Sequence, residues 1–424
     1  MRKTIYLLLI SCLFVVSCEK DNTTEYLFDK SINERFEELK TEYDTKLKKP
    51  ENGWIGYYNA NETSGAYTLL LKFQSDGTVV MHSDYASGEA NATITYRISK
   101  KQDITLTFES WSVLHAIYEI DNNNFGGEYV FNITEVTDDN IVLTSKTDNG
   151  YAGEEVTQLV LTPANASDWD LDKVYESAER VAGDETKSVF RNFKKGDNII
   201  GAFSYDEESR SATISYIDGA SVSTVTGLVK ISPTGFCFIK PVTIGNTTLD
   251  CFTYNTETGS YESSDGSVKL VYDMKPGVPL APYPFGKNGK DAGYNYLDLT
   301  SSKVFLNFWD SNNLMLADYG IKITRLYLRD LSTDAPYFHI YTNLGKVWFD
   351  FTYEIKEDGK VYFTLTGANN AGKLSPLFEP LLAKIVNTNG HYIEATGTLK
   401  EYSNATFSLI NADDPAYVIN FYAV

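Results

Sequence analysis

Five two-residue turn signals cut this chain into short alternating runs, and that pattern restricts it to an antiparallel β fold. Asp76-Gly77, Asp218-Gly219, Gly245-Asn246, Asp265-Gly266 and Asp358-Gly359 each mark a hairpin, and the runs about Asp76-Gly77 and Asp358-Gly359 carry apolar residues at every second position. Such dipeptides supply the positive φ that tight hairpin turns need. Tyr67, Leu69, Leu71 and Phe73 alternate with Thr68 and Lys72 before Asp76-Gly77, and Thr78–Met81 returns. Strand-like runs follow at Ala92–Ile98, Ile104–Phe108, Glu128–Ile133, Ile141–Thr144 and Gln158–Leu161. About seven short strands at this spacing predict a sandwich or an up-and-down barrel.

A second β region is expected from about Asn198 to Tyr272. The clearest hairpin comes later. Val347, Phe349, Phe351, Tyr353 and Ile355 share one face, Asp358-Gly359 turns, and Val361, Phe363 and Leu365 share the returning face. Trp348, Asp350 and Thr352 then point the other way. Strands at about Tyr392–Leu399, Ala405–Leu409 and Val418–Tyr422 complete the chain.

Helices punctuate these runs. Ser31 and Glu34 have capping-box spacing ahead of an apolar stripe of Ile32, Phe36, Leu39, Tyr43 and Leu47, which predicts a packing helix to Lys48. Ser167 or Asp168 can cap a second helix with the stripe Leu171, Val174, Tyr175, Ala178 and Val181, broken by Gly183. Ser302–Tyr319 leans to helix, and Ser375-Pro376 starts a short one over Leu377, Leu381, Leu382 and Ile385. Pro276, Pro279, Pro282 and Pro284 exclude regular structure between them and predict a linker or long surface loop. The fold class is therefore mainly β with a few packing helices (α+β), built as two or more antiparallel sandwich or barrel-like units. The expected organisation is 26–165, a helix plus β domain; 166–272, a helix plus β region; 273–300, the Pro-rich linker or loop; and 301–424, a β-rich region that could join 166–272 in one domain.

The N-terminus reads as an address. Arg2 and Lys3 precede an apolar run from Ile5 to Val16, too short to span a membrane and patterned as a secretory signal over residues 1–17. Val15-Val16-Ser17-Cys18 looks like a bacterial lipobox, in which Cys18 would be diacylated on its thiol and anchor the chain in the outer membrane. Cys12 after Leu9-Ile10-Ser11 is a rival, but it leaves a shorter apolar run and no polar tether. Residues 18–25 would be that tether, and Glu19, Asp21 and Glu25 give it an acidic character that Lys20 interrupts. This pattern favours a cell-surface position, with periplasmic retention the alternative.

Cys237 and Cys251 remain in what would be an oxidising compartment. A two-residue turn at Gly245-Asn246 pairs Ile244 with Thr247 and sets Cys237 opposite Tyr254. A disulfide would then need a different turn, and two small buried apolar side chains are the alternative.

Chemical motifs are sparse. The formal charge is -20, from 37 Lys and Arg against 57 Asp and Glu, which argues against nucleic-acid binding. His82, His115, His339 and His391 are scattered, and His391 and Glu394 fall on opposite faces of a strand, so neither a metal site nor a cofactor is expected. The Gly286–Lys290 stretch lacks phosphate-loop spacing, and Asp121-Asn122-Asn123-Asn124-Phe125-Gly126 departs from a calcium loop at Phe125 and reads as a turn. Asp148 to Glu155 reads as a solvated loop. No catalytic residue is assigned. Trp54, Tyr57, Tyr58, Tyr283 and Phe285 stand in loop contexts as candidates for ligand contact.

One ordered set of segments resembles a known family. It comprises Asn52-Gly53-Trp54, Tyr57-Tyr58, Gly65-Ala66-Tyr67, Phe73 through Val79, Ser83-Asp84, Gly126 through Phe131, Asp139 through Leu143, Gly235-Phe236, Pro241 and Ile244-Gly245. The resemblance is to uncharacterised Bacteroidota lipoproteins carrying a domain of unknown function, covers most of residues 26–272, and departs mildly where Ala66 stands in place of a second glycine. It implies genes near SusC/SusD-like outer-membrane uptake systems, and it transfers no catalytic residue. The expected function is a non-catalytic accessory that binds a glycan or peptide ligand, or a partner, for such a system. An adhesin or structural surface protein, and a glycan or peptide hydrolase, are the rivals.

Overall fold

A computed structural model describes residues 30–424, apart from 62, 86–90, 101–102, 124, 147–157, 284, 286–293, 297–299, 330, 332–335, 370–374 and 399–403. The expected signal, lipobox and tether lie outside the described residues, as do Gly286–Lys290 and Asp148 to Glu155. Among the described residues the chain is antiparallel β with five α-helices, as the turn pattern predicts.

Three rings of eight strands organise the molecule. The first holds β1 (Trp54–Asn59), β2 (Ala66–Phe73), β3 (Thr78–Ser83), β4 (Asn91–Lys100), β5 (Ile104–Phe108), β6 (Val130–Val136), β7 (Ile141–Ser145) and β8 (Gln158–Pro163). It closes because β1 pairs with both β2 and β8. The second holds β9 (Arg191–Lys195), β10 (Asn198–Asp206), β11 (Ser211–Asp218), β12 (Ser221–Ser232), β13 (Gly235–Ile244), β14 (Thr247–Asn255), β15 (Ser260–Ser263) and β16 (Val268–Tyr272), closed by β12 with β13 and β9 with β16. The third is a closed barrel of β17 (Tyr294–Tyr296), β18 (Ile323–Arg329), β19 (Tyr337–Thr342), β20 (Gly345–Ile355), β21 (Val361–Ala368), β22 (His391–Thr398), β23 (Ala405–Asn411) and β24 (Val418–Ala423). Closure leaves few free strand edges to pair with other chains. Each ring is filled by its own apolar cluster.

Helix α1 (Ile32–Leu47) carries the expected Ser31–Glu34 capping box but packs mainly through its C-terminal half. Leu47 is buried and accepts the Trp54 indole N–H at 2.7 Å, whereas Ile32 and Leu39 are exposed. The apolar stripe therefore overstates its packing. Helix α2 (Val113–Tyr118), buried through Val113, Leu114 and Ile117, was not foreseen; at six residues it is too short for periodicity to show. Helix α3 (Asp172–Ala182) ends at Gly183, whose φ is 124°. Ser167 and Asp168 lie inside a separate 3₁₀ turn, Ala166–Trp169, capped by Asn165, whose N–H donates to Asp168 Oδ2 at 2.7 Å, and neither caps α3. Helix α4 (Lys303–Ala317) starts at Ser302, which accepts the Phe305 N–H, and α5 is Ser375–Ile385.

Two register details differ from expectation. Ile244 pairs with Thr247 as the turn dictates, yet Cys237 faces Cys251, not Tyr254, and forms a disulfide with it. The register slips by three residues between Cys237 and Val242. That interval includes Pro241, which has no N–H to give the ladder. On the later hairpin Val347, Phe349, Phe351, Val361 and Phe363 point inward, but Ile355 and Leu365 are exposed. The Pro-rich stretch is also more than a surface crossing. Ala281 accepts the Ala395 N–H of β22 at 2.9 Å, and Phe285 is buried in the core of ring three.

Candidate functional site

The first two rings meet at Gly65, where backbone lies directly on backbone. Its N–H donates to Ser209 O at 2.7 Å, and the adjoining Ala66 makes a parallel bridge to Lys230. A Cβ at Gly65 would stand 2.3 Å from Arg210 O and 2.4 Å from Val229 O. Only glycine tolerates this approach.

Arg210 crosses the junction. It has φ 49°, a left-handed conformation uncommon for a side chain of its size. Its guanidinium donates 2.8 Å to Asp84 Oδ2 and 2.9 Å to Ala66 O, and lies 4.2 Å over the Tyr67 ring. Asp84 Oδ1 also accepts the Thr68 N–H at 2.7 Å. Both partners are buried. The pair thus ties the β10–β11 turn of ring two to β2 and β3 of ring one, and strain of this kind persists only where surrounding contacts enforce it.

A cleft of about 970 Å³ opens beside this strut. Tyr67 and Tyr85 from ring one form one wall, in edge contact at 5.0 Å, and Ile120 and Phe125 extend it. Tyr175 and Ala178 of α3, with Tyr205 of β10, form the other. Two tyrosine hydroxyls are committed to backbone: Tyr67 donates to Glu208 O at 3.1 Å and Tyr175 to Ser83 O at 2.8 Å. Burial pushes the Tyr67, Tyr175 and Tyr205 phenols above their ordinary value, so they stay neutral. What these side chains can offer a ligand is ring surface.

The rim is acidic. Glu179 of α3 and Asp206, Glu207 and Glu208 of the β10–β11 turn line the cleft and are exposed. Hydrogen bonds from the Ser209 hydroxyl and N–H, both 2.7 Å, hold Asp206 below the usual carboxylate range. Arg210 is neutralised by Asp84, so the cleft disfavours anions and suits hydroxyl-rich or cationic groups.

The five aromatic residues singled out for ligand contact do not line this cleft. Trp54, Tyr57 and Tyr58 lie on β1, not in a loop; Trp54 and Tyr58 are fully buried, and the Tyr58 hydroxyl accepts the Glu128 N–H at 2.6 Å. Tyr57 is half-buried beneath the Lys230 ammonium, 4.7 Å from its ring. Tyr283 packs on Phe407 in ring three, alongside Phe285. Strand preference placed these aromatics in walls and cores. Cys18 lies outside the described residues. Asn122 and Asn123 take φ 53° and 70° in a 3₁₀ turn, as a turn reading of that segment requires. Among the described residues, no three His, Cys, Asp or Glu side chains converge into a cation site.

The family model Domain of unknown function (DUF4302) matches residues 24–256, more than half of the chain. The chain belongs to the DUF4302 family. The DUF4302 match takes in Gly65, Tyr67, Asp84, Tyr175 and Arg210, and so the whole strut and cleft; β15, β16 and ring three lie beyond it. No curated protein matches this DUF4302 chain. Among solved structures, an H. pylori beta clamp in complex with 5-chloroisatin aligns over 92% of this chain and 97% of that one, at 10% identity and a TM-score of 0.14. So loose a superposition carries no argument about fold or function.

Proposed function

We propose that this DUF4302 protein is a lipid-anchored envelope protein of the outer membrane, held through Cys18 and facing the cell exterior. In this reading its cleft binds a glycan or peptide ligand without turning it over, as an accessory to a SusC/SusD-like nutrient-uptake system. The observation that carries the reading is the cleft itself. Tyrosine faces, with the Tyr67 and Tyr175 hydroxyls committed to backbone, beside four exposed carboxylates suit a sugar ring or a cationic peptide side chain. Glu394 is a carboxylate pushed upward by burial, but it lies on β22, away from the cleft. A hydrolase acid of raised pKa would be expected inside the cleft.

Purified protein screened against glycan and peptide libraries, for binding and for product, tests this. Binding without turnover is expected, with at least a tenfold loss in Tyr175→Ala. Product formation would overturn the reading, and so would binding that Tyr175→Ala leaves intact.

A further inference from the structure

Ring three carries an ordered aromatic and basic grid on its outer wall, far in character from the acidic cleft. Along β18, β19 and β20 the residues Leu326, Leu328, Phe338, Ile340, Val347 and Phe349 are buried inward. Alternation sends their neighbours outward, and the register aligns them in rows. Arg325 pairs with Tyr341, and Tyr341 with Lys346; Tyr327 pairs with His339, and His339 with Trp348. A third row runs Arg329, Tyr337, Asp350.

The rings pack into one layer, in which Tyr327 and His339 are buried, Tyr337 and Tyr341 half-buried and Trp348 exposed. His339 lies 4.6 Å from Tyr337, 5.4 Å from Tyr341 and 5.7 Å from Trp348. Trp348 is 39% exposed. Two cations bracket the Tyr341 ring, Arg325 at 4.1 Å and Lys346 at 5.4 Å. Both are exposed, and among the described residues neither has a carboxylate within ion-pair distance, in a chain of net charge -20. Exposed cations without acidic partners, fixed beside an aromatic platform, are complementary to an anionic ligand that has flat apolar faces.

We propose that this wall is a second binding surface, for an acidic polysaccharide. Pyranose C–H faces would stack on the exposed Trp348, while Arg325 and Lys346, held over the Tyr341 ring, pair with carboxylate or sulfate groups. Three strands and three alternate positions span about 10 Å by about 13 Å, room for roughly two or three sugar rings.

Affinity electrophoresis of the full chain through gels containing polygalacturonate, chondroitin sulfate or neutral dextran tests the proposal. The acidic polymers should retard the protein and dextran should not. Retardation should fall at least tenfold in Trp348→Ala and in Lys346→Gln, both with melting temperatures near the parent's, and persist in the cleft variant Tyr175→Ala. Response to polygalacturonate alone assigns carboxylate recognition; response to chondroitin sulfate alone assigns sulfate. Equal retardation by polyglutamate or oligothymidylate would reduce the surface to a charge patch and overturn the proposal. So would no retardation, or loss in Tyr175→Ala with Trp348→Ala unaffected.

Discussion

His391 shows what one buried side chain demands of the pH. It lies at 1% exposure with Nε2 2.7 Å from Ile385 O, so Nε2 carries the proton and donates. Nδ1 has no partner among the described residues. Burial pulls its pKa down to about 4, outweighing the Ile385 hydrogen bond and the Asp413 charge, which act upward. The folded form thus binds a proton less readily than the unfolded chain, whose histidine titrates near 6.5. Its contribution is fully present above about pH 6.5 and is lost as pH falls toward 4. The loss by pH 4.5 is on the order of 2–3 kcal/mol. Denaturant titrations at pH 7 and pH 4.5 should show that difference shrinking in His391→Asn; an unchanged difference would rule out His391 as its source. The opposed faces of His391 and Glu394 were legible from strand periodicity alone. The Asp84–Arg210 pair was not, because 126 residues separate its partners and only the docking of two rings brings them together.

Hairpins were legible where a turn and an alternating run agree. On β20 and β21 the two-residue period places Phe351 inward at 1% exposure and leaves Thr352 exposed. Phe351→Ala should cost about 3–5 kcal/mol. Thr352→Ala should cost within about 0.5 kcal/mol, as exposed substitutions do. Matched losses in chemical denaturation would mean the wall is covered on both sides. The period weakens toward the ends, where Leu365 precedes a register shift between Asp350 and Phe351 and becomes exposed. The same limit explains Cys237. A turn fixes only the pairs beside it, and Pro241 stands in the slip that carries Cys237 to Cys251. Candidate ligand aromatics failed for a related reason, since β1 reads as loop when Asn52-Gly53 precedes it and Tyr57-Tyr58 breaks its alternation.

At the scale of the whole molecule the rings are unequally coupled. Leu70 of β2 turns away from its own ring and is fully buried in the core of ring two, so the unbroken Leu69-Leu70-Leu71 run serves two cores at once. Ile55 of β1 packs there as well, beside the Asp84–Arg210 strut and the Gly65 contact. Ring two meets ring three through much less: a cluster of Phe190, Ile410 and Val418, with Leu280 and Tyr392 against it, and the Val189 N–H to Pro415 O at 3.3 Å. The Lys303–Glu185 ion pair there is exposed and contributes little. Cooperative unfolding follows shared core, so rings one and two should melt together and ring three separately. Scanning calorimetry should resolve two transitions. Gly65→Ala forces a Cβ into the backbone oxygens of Arg210 and Val229, which cannot rotate away, so it should lower or split the transition of rings one and two. The same substitution should leave ring three's transition in place, because among the described residues no contact of Gly65 reaches that ring. A single transition in the parent protein would refute the unequal coupling. An equal shift of both transitions in Gly65→Ala would show that ring three depends on the junction between the other two, and the small Phe190 cluster would then have to transmit more than its buried area suggests.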